Sequence, residues 1–227
     1  MCITQDGLPW SHAEQTRRLC AAGARWIQLR MKQAPHEEWL ATAREVVRIC
    51  RKASAVCIVN DSIEVALAAA ADGVHLGKLD HDWRAARAML GPERILGGTI
   101  NNMEDVERAK AAESLDYVGV GPWRFTANKK NLAPLLGHSG VHQLIVALRG
   151  LPAWIIGGIE VSDLSAAKSV GAAGVAVSSA LYRDGEIETN VKGFLNAWPQ
   201  LNAEREVAAP SEGGTSAIES NRTAGLV

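Results

Sequence analysis

Residues Val56 to Asp80 read VCIVNDSIEVALAAAADGVHLGKLD, and each of the two short apolar runs in this stretch ends in a carboxylate. VCIV runs into Asn60 and Asp61, and GVHLG runs into Lys78 and Asp80. Between them SIEVALAAAADG is alanine-rich, has good helix propensity and closes on a glycine. The stretch is therefore one strand, helix, strand unit. Strands joined by a crossover of this length lie parallel, so both carboxylates emerge at the same edge of one sheet. Two carboxylates held side by side repel unless a cation sits between them, and a magnesium ion bound through oxygen ligands is the natural candidate.

Working outward, the same unit recurs. Toward the N-terminus, Cys2–Gln5 reads as a short first strand, followed by a helix over Ser11–Ala22 with Ser11 as N-cap and Gly23 just past its end. Trp26–Leu29 is the next strand and delivers Arg30 and Lys32. A helix over His36–Lys52 has Pro35 at its entrance, and Leu40, Val46, Val47 and Ile49 form its buried face. Toward the C-terminus, Asp82–Leu90 is helical and closed by Gly91 and Pro92. Strands over Arg94–Gly98, Tyr117–Val120, Ala153–Ile156 and Val175–Val177 then alternate with helices over Met103–Ala112, His138–Arg149, Ser162–Val170 and Ile187–Ala197. The strands are continuous apolar runs, which implies burial on both faces. Eight β/α units in this length predict an α/β fold, a single (β/α)8 TIM barrel over residues 1–201. A doubly wound open sheet competes, but gives no reason for so even a repeat. From residue 202 the chain is poor in large apolar residues, and 202–227 reads as a disordered tail.

Composition narrows the function. The chain has 227 residues, 47% hydrophobic, which suits one large globular domain. A formal net charge of −1 speaks against a polyanion surface and so against nucleic acid as partner. Cys2, Cys20, Cys50 and Cys57 show no CxxC spacing, and read as reduced, mostly buried thiols of a cytoplasmic protein. No apolar run approaches the roughly 18 residues of a membrane span, and no basic region precedes an apolar core, so the expectation is a soluble protein that is not exported.

In a barrel, the positions just after the strands share one rim, where barrel enzymes carry their active sites. In chain order those positions hold Arg30 and Lys32, Asn60 and Asp61, Lys78 and Asp80, Thr99, Thr126 with Asn128 and Lys129, Gly157 and Gly158, and Ser178 with Ser179. Cations, carboxylates, an amide and hydroxyls on one rim describe a site for a magnesium-bound polyphosphate. The last two strands add GGI and SSAL, whose backbone N–H groups and hydroxyls suit a phosphomonoester. Two phosphate sites imply two substrates.

Each residue also has a plainer reading. Asp61 reads as a helix N-cap and Asp80 as the cap of a turn. Arg30, Lys32, Lys129 and Lys130 read as solvated charges, Gly157 and Gly158 as a tight strand exit, and Ser178 and Ser179 as a helix cap. His75, inside an apolar strand, reads as a hydrogen-bonded core histidine. The seven tryptophans read as packing, with Trp123 beside the rim as the exception. The functional reading rests on their joint arrival at one rim.

From about Ile3 to Leu181 the chain resembles the thiamine-phosphate synthase family, through QLRMK (Gln28–Lys32), VNDSIEVAL with ADGVHLGKLD, DYVGVGPWRFTANKK (Asp116–Lys130), IIGGI (Ile155–Ile159) and GVAVSSAL. The resemblance implies a (β/α)8 barrel that uses magnesium to join hydroxymethylpyrimidine diphosphate to thiazole phosphate, releasing pyrophosphate. By position it implies that Gln28, Arg30, Lys32, Asn60, Thr99 and Lys129 bind the pyrimidine diphosphate. It implies that Asp61 and Asp80 hold magnesium, and that Thr126, Asn128, Gly158, Ser178 and Ser179 bind the thiazole phosphate. The catalytic cations would be Arg30, Lys32 and Lys129.

The chain departs from the family pattern at three positions. Lys78 stands where glutamine is common and adds a charge near the diphosphate, Thr99 stands for serine, and Asn128 replaces the second threonine of TxTK. Thr99 keeps the hydroxyl and Asn128 keeps hydrogen-bonding capacity. Two alternatives stand beside this expectation: a thiazole tautomerase-like paralogue, which needs no diphosphate site, and a non-catalytic protein that binds a thiamine precursor. The expected partners are small-molecule substrates, with no membrane, and a homo-oligomer is compatible with the sequence.

Overall fold

The computed structural model describes residues 1–32, 34–78, 80–125 and 133–207, with side chains described as far as Trp198. Thr126, Asn128 and Lys129 lie outside the described residues, as do positions 208–227 of the expected tail.

Eight strands form one parallel sheet in sequence order: β1 (Cys2–Ile3), β2 (Trp26–Leu29), β3 (Val56–Asn60), β4 (Gly73–Leu76), β5 (Ile95–Ile100), β6 (Tyr117–Val120), β7 (Ala153–Ile156) and β8 (Gly174–Ala176). The sheet closes on itself: the Ile3 N–H donates to the Val177 carbonyl at 2.8 Å and the Val177 N–H to the Met1 carbonyl at 2.9 Å. Helices α1 (His12–Ala21), α2 (His36–Lys52), α3 (Ile63–Ala68), α4 (Trp83–Leu90), α5 (Met103–Ala112), α6 (Gly137–Ala147), α7 (Leu164–Ser169) and α8 (Ile187–Val207) alternate with the strands. This is the (β/α)8 architecture the repeat predicts.

Local chemistry explains the boundaries. Ser11 caps α1 by accepting from the Glu14 N–H at 3.2 Å, as its position before the helix predicts. Helix α2 spans the residues expected of it, with Val46 and Val47 buried against the barrel. Helix α8 continues to Val207, beyond the Ala197 at which the pattern of apolar residues ends it and beyond Leu201, where the sequence reading places the end of the barrel.

Strand β5 also runs further than expected, to Ile100 instead of Gly98. Gly97 and Gly98 look like a strand end but serve close packing. A Cβ on Gly97 would collide with the Tyr117 ring, and one on Gly98 would lie 2.8 Å from Leu115 and 3.0 Å from Trp83. Thr99 is therefore inside the strand, paired in register with Gly119, and Asn101 holds the exit position.

The base of the barrel interior is filled by aromatic rings. Trp26, Tyr117 and Trp154 pack with Ile58 in a buried cluster, their ring centroids 5.3–6.3 Å apart. Trp123 is packing as well: it is buried and meets His138 edge-on, centroids 5.9 Å apart. Among the described residues all four cysteines are free thiols, and Cys20, Cys50 and Cys57 are buried. No helix among the described residues is long and apolar enough to cross a membrane.

Candidate active site

The exits of β3 and β4 bring Asp61 and Asp80 together. Asp61 has φ of 67°, in the left-handed region that aspartate tolerates better than most residues. Its N–H donates to the His75 carbonyl at 2.8 Å. Asp61 is not the cap of α3: Ser62 is, accepting from the Val65 N–H at 3.2 Å, so the Asp61 carboxylate is available to the rim. Asp80 likewise leaves the capping of α4 to Asp82. One Asp80 oxygen accepts from the Gly77 N–H at 2.6 Å, which fixes the carboxylate over the strand exit. Partial burial, and then the nearby charge and hydrogen bond of Asp61, hold the Asp80 carboxyl above the usual carboxylate range.

Lys32, at the β2 exit, forms an ion pair with Asp61. The β2 exit is held from the β1 exit by residues the sequence reading did not single out. The Thr4 hydroxyl accepts from the Arg30 N–H at 3.1 Å, and an Asp6 oxygen accepts from the Lys32 N–H at 3.0 Å. His12 touches both supports, its Nδ1 2.8 Å from the Thr4 hydroxyl and its Nε2 3.0 Å from Asp6. The signal for them was the polar run TQD directly after the short first strand. Asn101 was missed too, because β5 was ended too early. It is buried, its side-chain amide donates to the Gly121 carbonyl, and it lines the rim cavity.

That cavity opens at the rim and is bounded by Arg30, Thr99, Gly158, Ser178 and Ser179, with His75 and Gly119 at its floor. Gly157 and Gly158 have φ of 103° and 65°, and a Cβ on Gly158 would meet the Phe125 carbonyl oxygen at 2.8 Å. The glycine pair thus lets the segment after β6 lie directly on the β7 exit, where the Arg124 N–H donates to the Gly157 carbonyl at 3.1 Å. The Ser178 hydroxyl donates to the Gln5 side chain at 3.3 Å and makes no cap bond to the 3₁₀ turn that follows.

The structure thus gathers Arg30, Lys32, Asp61, Asp80, Thr99, Gly158, Ser178 and Ser179 at the end of the barrel where the strands exit. Asn60, at 7% exposure, closes β3 next to them and pairs in register with His75. Gln28 is only 3% exposed, and its side-chain amide donates to the Met1 sulfur at 3.4 Å. Lys78 pairs with the buried carboxylate of Asp105 on α5 at 2.6 Å. The same Asp105 oxygen accepts from the Asn101 N–H at 2.8 Å.

Two carboxylates without a third protein ligand suit magnesium better than a metal that requires a closed protein cage, since magnesium keeps several waters and takes substrate phosphate oxygens. Among the described residues no group of three or more His, Cys, Asp or Glu stands ready to hold a metal.

A parallel barrel with a cation-and-carboxylate rim on one side and a Gly-Gly, Ser-Ser rim on the other defines an enzyme acting on phosphorylated small molecules. The family profile described as TMP-TENI, thiamine monophosphate synthase, matches residues 1–181, and the chain belongs to this family. The thiamine-phosphate synthase of Bacteroides fragilis is 39% identical over 198 residues, covering 86% of this chain and 97% of that protein. That of Myxococcus xanthus is 40% identical over 190 residues, covering 84% and 86%. The solved thiamine phosphate pyrophosphorylase of Pyrococcus furiosus superimposes with a TM-score of 0.79 at 26% identity, covering 88% of this chain and 95% of its own.

Proposed function

We propose that this chain is a transferase that condenses 4-amino-5-hydroxymethyl-2-methylpyrimidine diphosphate with thiazole phosphate, giving thiamine phosphate and pyrophosphate. The observation that carries the reading is the convergence, around one rim, of Arg30, Lys32, Asp61 and Asp80 with Gly158, Ser178 and Ser179. A tautomerase on the same barrel would have no use for the carboxylate pair and its cations.

The thiazole nitrogen attacks the pyrimidine methylene with its own lone pair, so no general base is required. The new C–N bond forms as the C–O bond to the diphosphate breaks, and the departing pyrophosphate takes that electron pair. Positive charge builds on the methylene and negative charge on the leaving group. Asp61 and Asp80 would hold magnesium, which supplies charge neutralisation at the diphosphate. Arg30 lines the cavity wall, and Lys32 pairs with Asp61 across the neighbouring strand exits. Both stabilise the leaving group, as Lys129 would. Gly158 N–H, Ser178 and Ser179 hold the unreacting phosphate of the thiazole. Catalysis then consists of positioning two substrates and neutralising charge. A cytoplasmic location suits this chemistry and the four free thiols.

Incubating the purified chain with both substrates and magnesium tests the reading. Thiamine phosphate and pyrophosphate forming in equal amounts supports it, and a folded protein that forms neither refutes it.

A further inference from the structure

The exits of β6, β7 and β8 are tied together by side chains that stand outside the cavity they border. After β6, the Trp123 N–H donates to the Ile156 carbonyl at 2.9 Å and the Arg124 N–H to the Gly157 carbonyl at 3.1 Å. The Arg124 side chain then crosses Gly158 closely, since a Cβ there would lie 2.5 Å from its Cγ and 3.1 Å from its Cδ. Its guanidinium ends on Asp163, in the short 3₁₀ turn Val161–Asp163 that precedes α7. The other Asp163 oxygen accepts from the Glu160 N–H at 2.8 Å. The Glu160 carboxylate in turn accepts two bonds from Arg183, at 2.6 and 3.0 Å, and Arg183 lies in the 3₁₀ turn Ser179–Gly185 that follows β8. One strap therefore runs through Arg124, Asp163, Glu160 and Arg183 across three strand exits. None of these four lines the cavity, whereas Gly158, Ser178 and Ser179 do.

We propose that Arg124 and Asp163 are positioning residues that hold Gly158, Ser178 and Ser179 together as a preformed phosphate cradle, and so set the affinity for thiazole phosphate without touching it. This rests on the proposed function for the identity of the ligand. A cradle built from separate strand exits binds only once they are ordered, and a contact that orders them beforehand raises affinity without adding a contact to the ligand. Burial ranks the links of the strap. Asp163 is 7% exposed, so loss of the Arg124 cation leaves a buried carboxylate with a backbone N–H as its remaining partner among the described residues. The side chains of Arg183 and Glu160 are 56% and 32% exposed, and a pair so open to solvent contributes little. Arg124 and Asp163 therefore form the link on which the strap depends.

Amide hydrogen exchange in the full chain, without substrate, reads the strap itself. In Arg124→Met the amides at positions 124 and 160 should exchange roughly tenfold faster or more than in the parent, while the Val118 amide inside β6 keeps its parent rate. Calorimetry with thiazole phosphate alone reads the consequence. Arg124→Met should weaken binding roughly tenfold, as should Asp163→Asn, which keeps an acceptor for the Glu160 N–H. The two combined should cost little more than either alone, and Arg183→Met should cost about twofold at most. In steady-state kinetics the KM for thiazole phosphate should rise in step, while kcat and the KM for the pyrimidine diphosphate stay within about twofold, a split that a general loss of folding does not give. Unchanged exchange in Arg124→Met, fully additive losses in the double variant, or an Arg124→Met protein that binds thiazole phosphate as the parent does overturns the proposal. Exchange and binding are read without turnover, so a failure of the proposed reaction and a failure of the strap give different results.

Discussion

The carboxylates of Asp61 and Asp80, carried to the rim by adjacent strands, lie within hydrogen-bonding reach of each other, and Asp80 is held above the usual carboxylate range by burial and then by its neighbour's charge. The fold has built a repulsion that a bound cation would relieve. Lys32 offsets part of it, through its ion pair with Asp61 and through the pull of its charge on Asp80.

Removing one carboxylate should therefore stabilise the metal-free protein. A carboxyl whose folded-state pKa lies above its unfolded value contributes stability below the unfolded value and loses that contribution as pH rises through the folded one. At pH 7 in chelator, Asp80→Asn should melt a few degrees above the parent, and the gap should narrow toward pH 4 as the parent's carboxyl gains its proton. Calorimetric melting across this range checks the sign. A lower melting temperature for Asp80→Asn at pH 7 would show that burial and the neighbouring charge do not hold the Asp80 carboxyl up.

The same pair predicts the response to metal. Magnesium with pyrophosphate should raise the melting temperature of the parent through binding to the folded state alone, and should leave Asp61→Ala and Asp80→Ala unmoved. Turnover of both variants should drop roughly a hundredfold or more in excess magnesium. Equal turnover in parent and variants would remove the metal from the account.

Lys78 should matter to stability more than to substrate. Lys78→Met leaves the Asp105 carboxylate, whose side chain is 4% exposed, without its close cation, at a cost of about 2 kcal/mol. Lys78→Gln keeps a donor and should cost less. Denaturant titration gives the stabilities, and the KM for the pyrimidine diphosphate should stay within about threefold for both. A tenfold rise in that KM at unchanged stability would return Lys78 to the diphosphate.

Gly158 is constrained twice, by a φ of 65° and by the Phe125 carbonyl 2.8 Å from where a Cβ would be. Gly158→Ala should destabilise by about 1–3 kcal/mol and displace the segment after β6. Its main kinetic effect should be a higher KM for thiazole phosphate, measured against Ser179→Ala as reference. An unchanged KM would separate Gly158 from that phosphate.

Much of this was legible because a parallel barrel needs short apolar strands, and each polar residue that ends one reaches the same rim. Asp61, Asp80, Arg30 and Lys32 follow from that rule alone. Thr99 and Asn101 did not separate correctly, because Gly97 and Gly98 look like a strand end when read locally. Only the Tyr117 ring and the Trp83 indole pressing on them explain their size. Gln28, a substrate ligand by resemblance, is buried with its side-chain amide on the Met1 sulfur, a contact that the spacing of the strands does not announce. The Lys78–Asp105 pair was invisible for a related reason: it joins a strand exit to a helix of the next unit. Thr126, Asn128 and Lys129 lie outside the described residues, and their part in the site is still a reading of the sequence.

The central claim is that one rim holds two substrates at two places, and steady-state kinetics with each substrate varied in turn tests it most directly. Ser179→Ala removes a hydroxyl from the unreacting phosphate, so it should raise the KM for thiazole phosphate and leave kcat within about threefold. Arg30→Ala removes a cation facing the leaving group, whose charge grows in the transition state, so it should lower kcat even when both substrates saturate. If Ser179→Ala weakened only the pyrimidine diphosphate, or if both variants changed the same parameter for the same substrate, the division of the rim into two sites would be contradicted.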